Sequence, residues 1–465
     1  MHTGADQGVA KSAPRSEKLV EHLLSLPASL LDGPLGGNAR MALLDTLGCG
    51  IYGAIQPWGK ILREQIEHEG SRGKATLFGS QMTVAPSRAA LANGTATHGF
   101  ELDDIIQGAL VHPGACVVPA ALAVAEETNA PGERLLLAII AGYEMMSRLG
   151  WALGAEHNTR GFHTTGVAGP IAATVAVGVV LGLPRDTVLA AIGIACSSAG
   201  GIKAFTQGSG GMVKRMHAGR AAETGVLACE LAQRGFTGPL AAIDGHFGLI
   251  EVIGGSDTAV NALTDKLGED YAISRVWVKA YPCCGLIHSV SNAIETIKLE
   301  SALTPADVKR IVVHTSKRAV DHNGDPDPQE TMAAQYSIPY CAGAAVVKNP
   351  RDPAAFDTQA LADAEIRRVS RLTQLRIDEK LDALYPAHFA ARVEIELNNQ
   401  RRFERTVIDP HGTAADACDA AEIEAKFRLL AKPMADGARV ERVIGAVSGL
   451  RGASSITALS TALHV

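Results

Sequence analysis

The stretch NGTATHGFELDDI, Asn93 to Ile105, places His98 and three carboxylates, Glu101, Asp103 and Asp104, within thirteen residues. HPGA follows shortly after, with His112 at its head. Only 20% of the chain is charged, so this concentration of acids needs a reason. Imidazole titrates near neutral pH, and histidines beside carboxylates suit proton transfer. The same groups are metal donors, and His98, Glu101, Asp104 and His112 offer N and O ligands. Their spacing matches neither H-E-x-x-H nor an EF-hand loop, so no metal site is assigned.

Four further clusters stand out against an apolar background. RGFHTTG, Arg160 to Gly166, sets His163 just before an uncharged run; it reads as a general base or as a buried imidazole bonded to backbone. GSGGMVKRMHAGRAA, Gly208 to Ala222, is a glycine-rich turn entering a helix. There the free N–H groups of the Gly208–Gly211 segment, Gly210 and Gly211 included, face the same way as the positive helix end. Lys214 and His217 are three apart and share a helix face, so the segment reads as an anion cradle or as a glycine-rich hinge with an exposed lysine. The order G-x-x-x-x-G-K-[ST] is absent, so it is not a Walker loop. VKAYPCCGLIH, Val278 to His288, carries Lys279, either a desolvated carboxylate binder or a surface lysine at a domain junction. Its adjacent Cys283 and Cys284 show no helix N-terminus or histidine beside them that would mark a catalytic thiol. AAQYSIPYCAG, Ala333 to Gly343, holds Tyr340, a proton donor or a core tyrosine with a satisfied hydroxyl.

The elements that position these groups are mainly helical. A chain of 465 residues exceeds one compact core. It is 47% hydrophobic but only 4% aromatic, so Ala, Val, Leu and Gly build the interior and let helices approach closely. From about residue 16 to 275 the pattern is helical, with no convincing β-alternation. Pro131 opens one helix, Pro184 another that Gly200 and Gly201 close, and Arg215 to Gly235 forms a third. Thr164 to Pro184 carries no charge and nearly matches a bilayer span. It holds Pro170 and four glycines and has no partner span, so it reads as a buried central helix. Near Val276 the texture changes. Lys309 to Ser316 is a β-branched run, Ala391 to Asp409 reads as a hairpin around Asn398 and Asn399, and DAEIRRVSRLTQL between them reads as helix. Expected, then, are a large all-α domain from 1–274 and 411–465 and a smaller α+β unit from 275–410.

The net charge of −6 argues against nucleic acid as a partner, since no basic stripe is present. The eight cysteines form no C-x-x-C pair, and the first eighteen residues have no apolar signal segment. A reducing, cytoplasmic setting without membrane attachment follows as the expectation.

In their order, NGTATHGFELDD, HPGA, GFHTTG, GGMVKRMHAGRAA, KAYPCCGLIH and QYSIPYCAG resemble the MmgE/PrpD family, over Leu19 to Pro433. The resemblance implies a large helical domain with a smaller α+β lid, usually in a homodimer, and a site between the domains that uses no cofactor. The family includes 2-methylcitrate dehydratases, cis-aconitate decarboxylases and iminodisuccinate epimerases. The decarboxylase branch carries over onto His112, His163, Lys214, Lys279 and Tyr340. Three positions depart from its pattern: Glu101 replaces Asp, Ile105 replaces Thr, and Cys284 stands where that branch has His. The shared chemistry is removal of a proton next to a carboxylate of a di- or tricarboxylate. Lys214, Lys279 and the Gly208–Gly211 amides would stabilise the resulting charge, with Glu101, Asp103, His98, His217 and Cys284 lining the substrate. His163 or His112 would take the proton, with Tyr340 or a lysine returning one and Asp104 among the catalytic groups. With the decarboxylase Thr and His missing, an epimerase leads narrowly over a dehydratase. A carboxylate-binding protein without turnover is the non-enzyme alternative. A carboxylate wall suits an anionic substrate poorly, so Asp103 or Asp104 is expected to face a histidine or backbone amides.

Overall fold

The computed structural model describes residues 14–206, 211–432 and 437–464. The chain is mainly helical with a small α+β part. Its first part contains α1 (Pro34–Ala54), α2 (Pro86–Thr97), α3 (Pro113–Thr128), α4 (Gly132–Leu153), α5 (Thr164–Leu181), α6 (Arg185–Cys196) and α7 (Met212–Gln233). Helices α1, α2 and α3 each begin on a proline, whose missing N–H is one the first turn would leave unused. Helix α5 ends at Gly182, whose φ of +63° suits the left-handed cap.

The core of this part is built from close helix approach. Gly94 on α2 and Gly219 on α7 face each other so tightly that a Cβ on Gly94 would lie 2.9 Å from the Gly219 Cα. Helix α5 is buried on nearly every side. Helices α4 and α5 are long and apolar enough to cross a membrane by length and composition, but 89% of each apolar window is covered by neighbouring parts of the protein. A two-residue strand pair, Ala75–Thr76 with Thr83–Val84, also lies in this part, where no strand was expected. It is too short to show an alternating pattern in sequence.

The second core contains α8 (His288–Ser301), β1 (Val308–Thr315), α9 (Thr331–Gln335), α10 (Ile338–Val347), α11 (Ala364–Arg371), β2 (Thr373–Ile377), β3 (Ala391–Leu397) and β4 (Arg402–Val407). The sheet runs β2-β1-β3-β4, with β1 and β2 parallel and the other pairs antiparallel. Alternate residues of β3, from Ala391 through Val393 and Ile395 to Leu397, face the core. The helical reading of DAEIRRVSRLTQL is corrected at its end. Helix α11 stops at Arg371, and Thr373 pairs with Ile311 as the first rung of a parallel ladder. A distant strand decides that segment, and local periodicity does not register it.

After β4 the chain returns to the first core through α12 (Ala420–Ala431), α13 (Gly437–Ser448) and α14 (Thr457–Leu463). Lys426 of α12 lies 2.6 Å from Asp45 of α1, and Phe427 packs on Gly48.

Candidate active site

The segment after α2 forms one wall. Asp103 Oδ2 lies 2.5 Å from His98 Nδ1 and 3.2 Å from His112 Nδ1, so one carboxylate orients two imidazoles. Burial opposes the Asp103 charge, but His98 and then His112 outweigh it and hold its pKa well below the usual range. Burial pulls His98 down to about 4, which makes it a neutral donor to an ionised Asp103. Asp104 turns the other way. It accepts from the Gly114 amide at 2.9 Å, at the start of α3, and from the Tyr143 hydroxyl at 2.6 Å. Burial pushes its pKa up to about 7. Both acids thus face histidines, a hydroxyl or a backbone amide.

His163 caps the start of α5, with its own amide bonded to the Gly201 carbonyl. Its Nδ1 lies 2.9 Å from Nδ1 of His217 on α7. Its ring stacks on His98 at a centroid distance of 5.6 Å, and His98 meets His112 edge-on at 4.8 Å. Four imidazoles, from His112 through His98 and His163 to His217, therefore form one continuous row. Burial first, then His98 and Lys214, depress His163 well below the ordinary histidine value. Burial, then Lys214, lowers His217 too.

The second wall is cationic. Lys214 of α7 and Lys279 from the junction between the two cores both pair with Glu101: one carboxylate oxygen meets Lys214, and the other lies 3.1 Å from Lys279. All three are buried. Burial disfavours the Glu101 charge, but the two ammonium groups overcome it and depress its pKa far below normal. Lys279 is held above the usual lysine value, because Glu101 and Asp103 outweigh its burial. The Tyr336 hydroxyl lies 3.1 Å from Lys214 Nζ. Burial and then Glu101 raise that phenol well above 10, so it carries its proton at neutral pH.

Family models match both parts of the chain: the MmgE/PrpD N-terminal domain over residues 17–261 and the C-terminal domain over 281–450. This chain belongs to the MmgE/PrpD family. It is 29% identical to the cis-aconitate decarboxylase-like protein oryM of Aspergillus oryzae, over 93% of each chain. It is 28% identical to the cis-aconitate decarboxylase of Aspergillus terreus, over 94% of this chain and 92% of that one. It is 26% identical to the Homo sapiens cis-aconitate decarboxylase, over 93% and 91%. These MmgE/PrpD relatives are named as decarboxylases, which are lyases, so the narrow lead given to an isomerase gains no support from them.

Of the residues singled out in sequence, His98, Glu101, Asp103, Asp104, His112, His163, Lys214, His217 and Lys279 come together. Cys284 joins them: burial, then Glu101, pushes its thiol up to about 11, so it stays protonated. Gly211 stands at the start of α7 against Met332, while Gly208 and Gly210 lie outside the described residues. Tyr340 is not brought to the site. It is wholly buried in the second core and donates to the Ala355 carbonyl at 2.9 Å. The tyrosine hydroxyl beside Lys214 is that of Tyr336, four residues earlier, which the sequence reading passed over.

Three more residues that fasten this cluster went unnoticed in sequence. Arg215 Nε donates to the Gly99 carbonyl at 2.7 Å, with its guanidinium 3.9 Å from the Trp58 ring. The Gln335 amide donates to the carbonyls of Phe100 and Pro282 and ties the acidic segment to the Lys279 segment. Trp277 forms an antiparallel bridge with Ile105, again across the two parts. Among the described residues, His98, Asp103 and His112 could gather round a metal ion, as could His411, Cys418 and Glu422. In the first group His98 Nδ1 is hydrogen-bonded to the Asp103 oxygen and His112 Nδ1 lies 3.2 Å from it, while Glu101 and Asp104 are engaged elsewhere.

Proposed function

We propose that this chain is a lyase that performs acid–base chemistry at the carbon beside a carboxylate of a small di- or tricarboxylate. One observation carries the reading: two buried ammonium groups, Lys214 and Lys279, converge on a single carboxylate beside a row of histidines. Such a pair recognises carboxylate oxygens and stabilises the charge that collects on them when the neighbouring carbon loses a proton. The depressed His163 is neutral at pH 7 and free to accept that proton. The protonated Tyr336 phenol, on the lid side, can give one back.

In a dehydration, His163 takes the α-proton, the C–O bond to a β-hydroxyl breaks, and Tyr336 protonates the departing oxygen as water. The imidazolium then returns a proton to the phenolate. In a decarboxylation, the C–C bond breaks, CO2 leaves, and the electron pair left on carbon takes the phenol proton. Epimerisation is the second reading. It is favoured by Ile105 and by the protonated Cys284 thiol, which replace the Thr and His of the decarboxylase pattern, while the proton-handling groups are kept. A homodimer in the cytoplasm belongs to the same proposal; Met212, Val213, Met216 and Leu227 leave an apolar strip exposed on α7.

Incubation with a panel of di- and tricarboxylates in D2O, followed by NMR, tests this. A new alkene signal or loss of CO2 is expected. Deuterium at the α-carbon with inversion and no loss of mass would favour the epimerase. Neither exchange nor conversion across the panel would overturn both.

A further inference from the structure

Glu101 is held in place more firmly than its neighbours require. Its φ is +57°, a left-handed conformation that costs a glutamate about 1 kcal/mol or more. The segment around it is fastened by side chains from three separate elements. Arg215 donates to the Gly99 carbonyl at 2.7 Å, Gln335 to Phe100 at 2.8 Å, and Lys426 to Leu102 at 2.7 Å. The backbone on both sides of Glu101 is thereby fixed, and its carboxylate cannot leave by a swing of the loop. Each of its oxygens meets a different ammonium, so the carboxylate spans the Lys214–Lys279 pair as a substrate carboxylate would. Aspartate, one methylene shorter, would not reach both from the same backbone position.

We propose that Glu101 is a fixed internal carboxylate that takes one carboxylate's share of the Lys214–Lys279 pair and restricts the site to substrates with two carboxylates. This rests on the reading above that the site binds carboxylates. The charge balance agrees. Glu101 alone pairs with the two ammonium groups and balances one of their two charges, while Asp103 is held by His98 and His112. With Glu101 taking up part of that positive charge, each added substrate carboxylate enters a buried site with less of it left to receive it. Specificity here comes from an occupied position, a repulsive element built into the pocket.

Citraconate and cis-aconitate differ only by one carboxylate and form a matched pair of probes. By calorimetry, the wild-type protein is expected to bind citraconate at least about ten-fold more tightly. In Glu101→Asp, which keeps the charge but shortens its reach, the ratio of the two affinities should move about ten-fold or more toward cis-aconitate. Wild-type affinity for cis-aconitate equal to or above that for citraconate overturns the proposal, and needs no variant. So does an unchanged ratio in a folded Glu101→Asp. Binding without turnover would defeat the lyase reading alone and leave the ratio to decide Glu101. Binding of neither probe would defeat the carboxylate reading and this inference with it.

Discussion

The Nδ1 atoms of His163 and His217 lie 2.9 Å apart, so one ring donates and the other accepts, and the two cannot both be protonated there. Both pKa values are depressed, chiefly by burial. A base of this kind stays ready well below the ordinary histidine midpoint. The acid limb of kcat/KM should therefore fall below about pH 6.5, the unperturbed value for a histidine. His163→Ala should lower turnover by about 100-fold or more with the fold retained. Wild-type rates in that variant, or an acid limb centred above about pH 7, would remove His163 from its proposed role.

Asp104 predicts a pH effect on stability of the opposite kind. Its pKa is raised to about 7 in the folded protein, chiefly by burial. Its stabilising contribution is complete below the unfolded value of about 4 and is lost as pH rises through about 7. His98, pulled down to about 4, works against it: the unfolded chain takes up its proton first as pH falls below 6.5. Only a difference between variants isolates Asp104. Asp104→Asn retains an acceptor for the Gly114 amide, so its melting temperature should fall less than wild type's between about pH 5 and pH 8. Parallel curves for the two proteins would contradict the assigned shift.

The two tyrosines of QYSIPY separate function from packing. Tyr336 ends α9, and Ser337 begins the next helix by accepting from the Tyr340 amide at 3.0 Å. The chain turns between them, which sends one ring to Lys214 and the other into the second core. Tyr336→Phe should cost about 100-fold in kcat. Tyr340→Phe should leave kcat unchanged and reduce stability by about 1 kcal/mol, the value of one buried hydrogen bond. The reverse pattern would return Tyr340 to the site.

That turn shows where reading the sequence succeeds and where it stops. His98, His112, His163, Lys214 and Lys279 were legible because charged and titratable groups are conspicuous in an apolar chain, and helical spacing put Lys214 and His217 on one face. The expectation that Asp103 or Asp104 faces histidines or amides followed from charge alone, and both do. Tyr336 was missed because a helix break between two tyrosines leaves no periodic signature. Strand β2 was missed because its partner, β1, lies far back in the chain. Arg215 and Gln335 act on carbonyls, which every residue carries, so nothing in the sequence points to them.

Lys426 offers a test of how the last helices are held. It pairs with the buried Asp45 at 2.6 Å and also donates to the Leu102 carbonyl, beside the acidic segment. Lys426→Met would leave Asp45 buried without its cation, at a cost of about 3–5 kcal/mol. Burial already raises the Asp45 pKa, with Lys426 opposing it, so removal of the lysine raises it further. The carboxyl can then escape the penalty by protonating. The loss of stability, measured by chemical denaturation, should be full at about pH 8 and smaller at about pH 5. The double variant Asp45→Leu, Lys426→Met removes both charges and should recover most of the loss. An equal penalty at both pH values, or no recovery in the double variant, would mean that Lys426 acts through packing and its bond to Leu102, and not through Asp45.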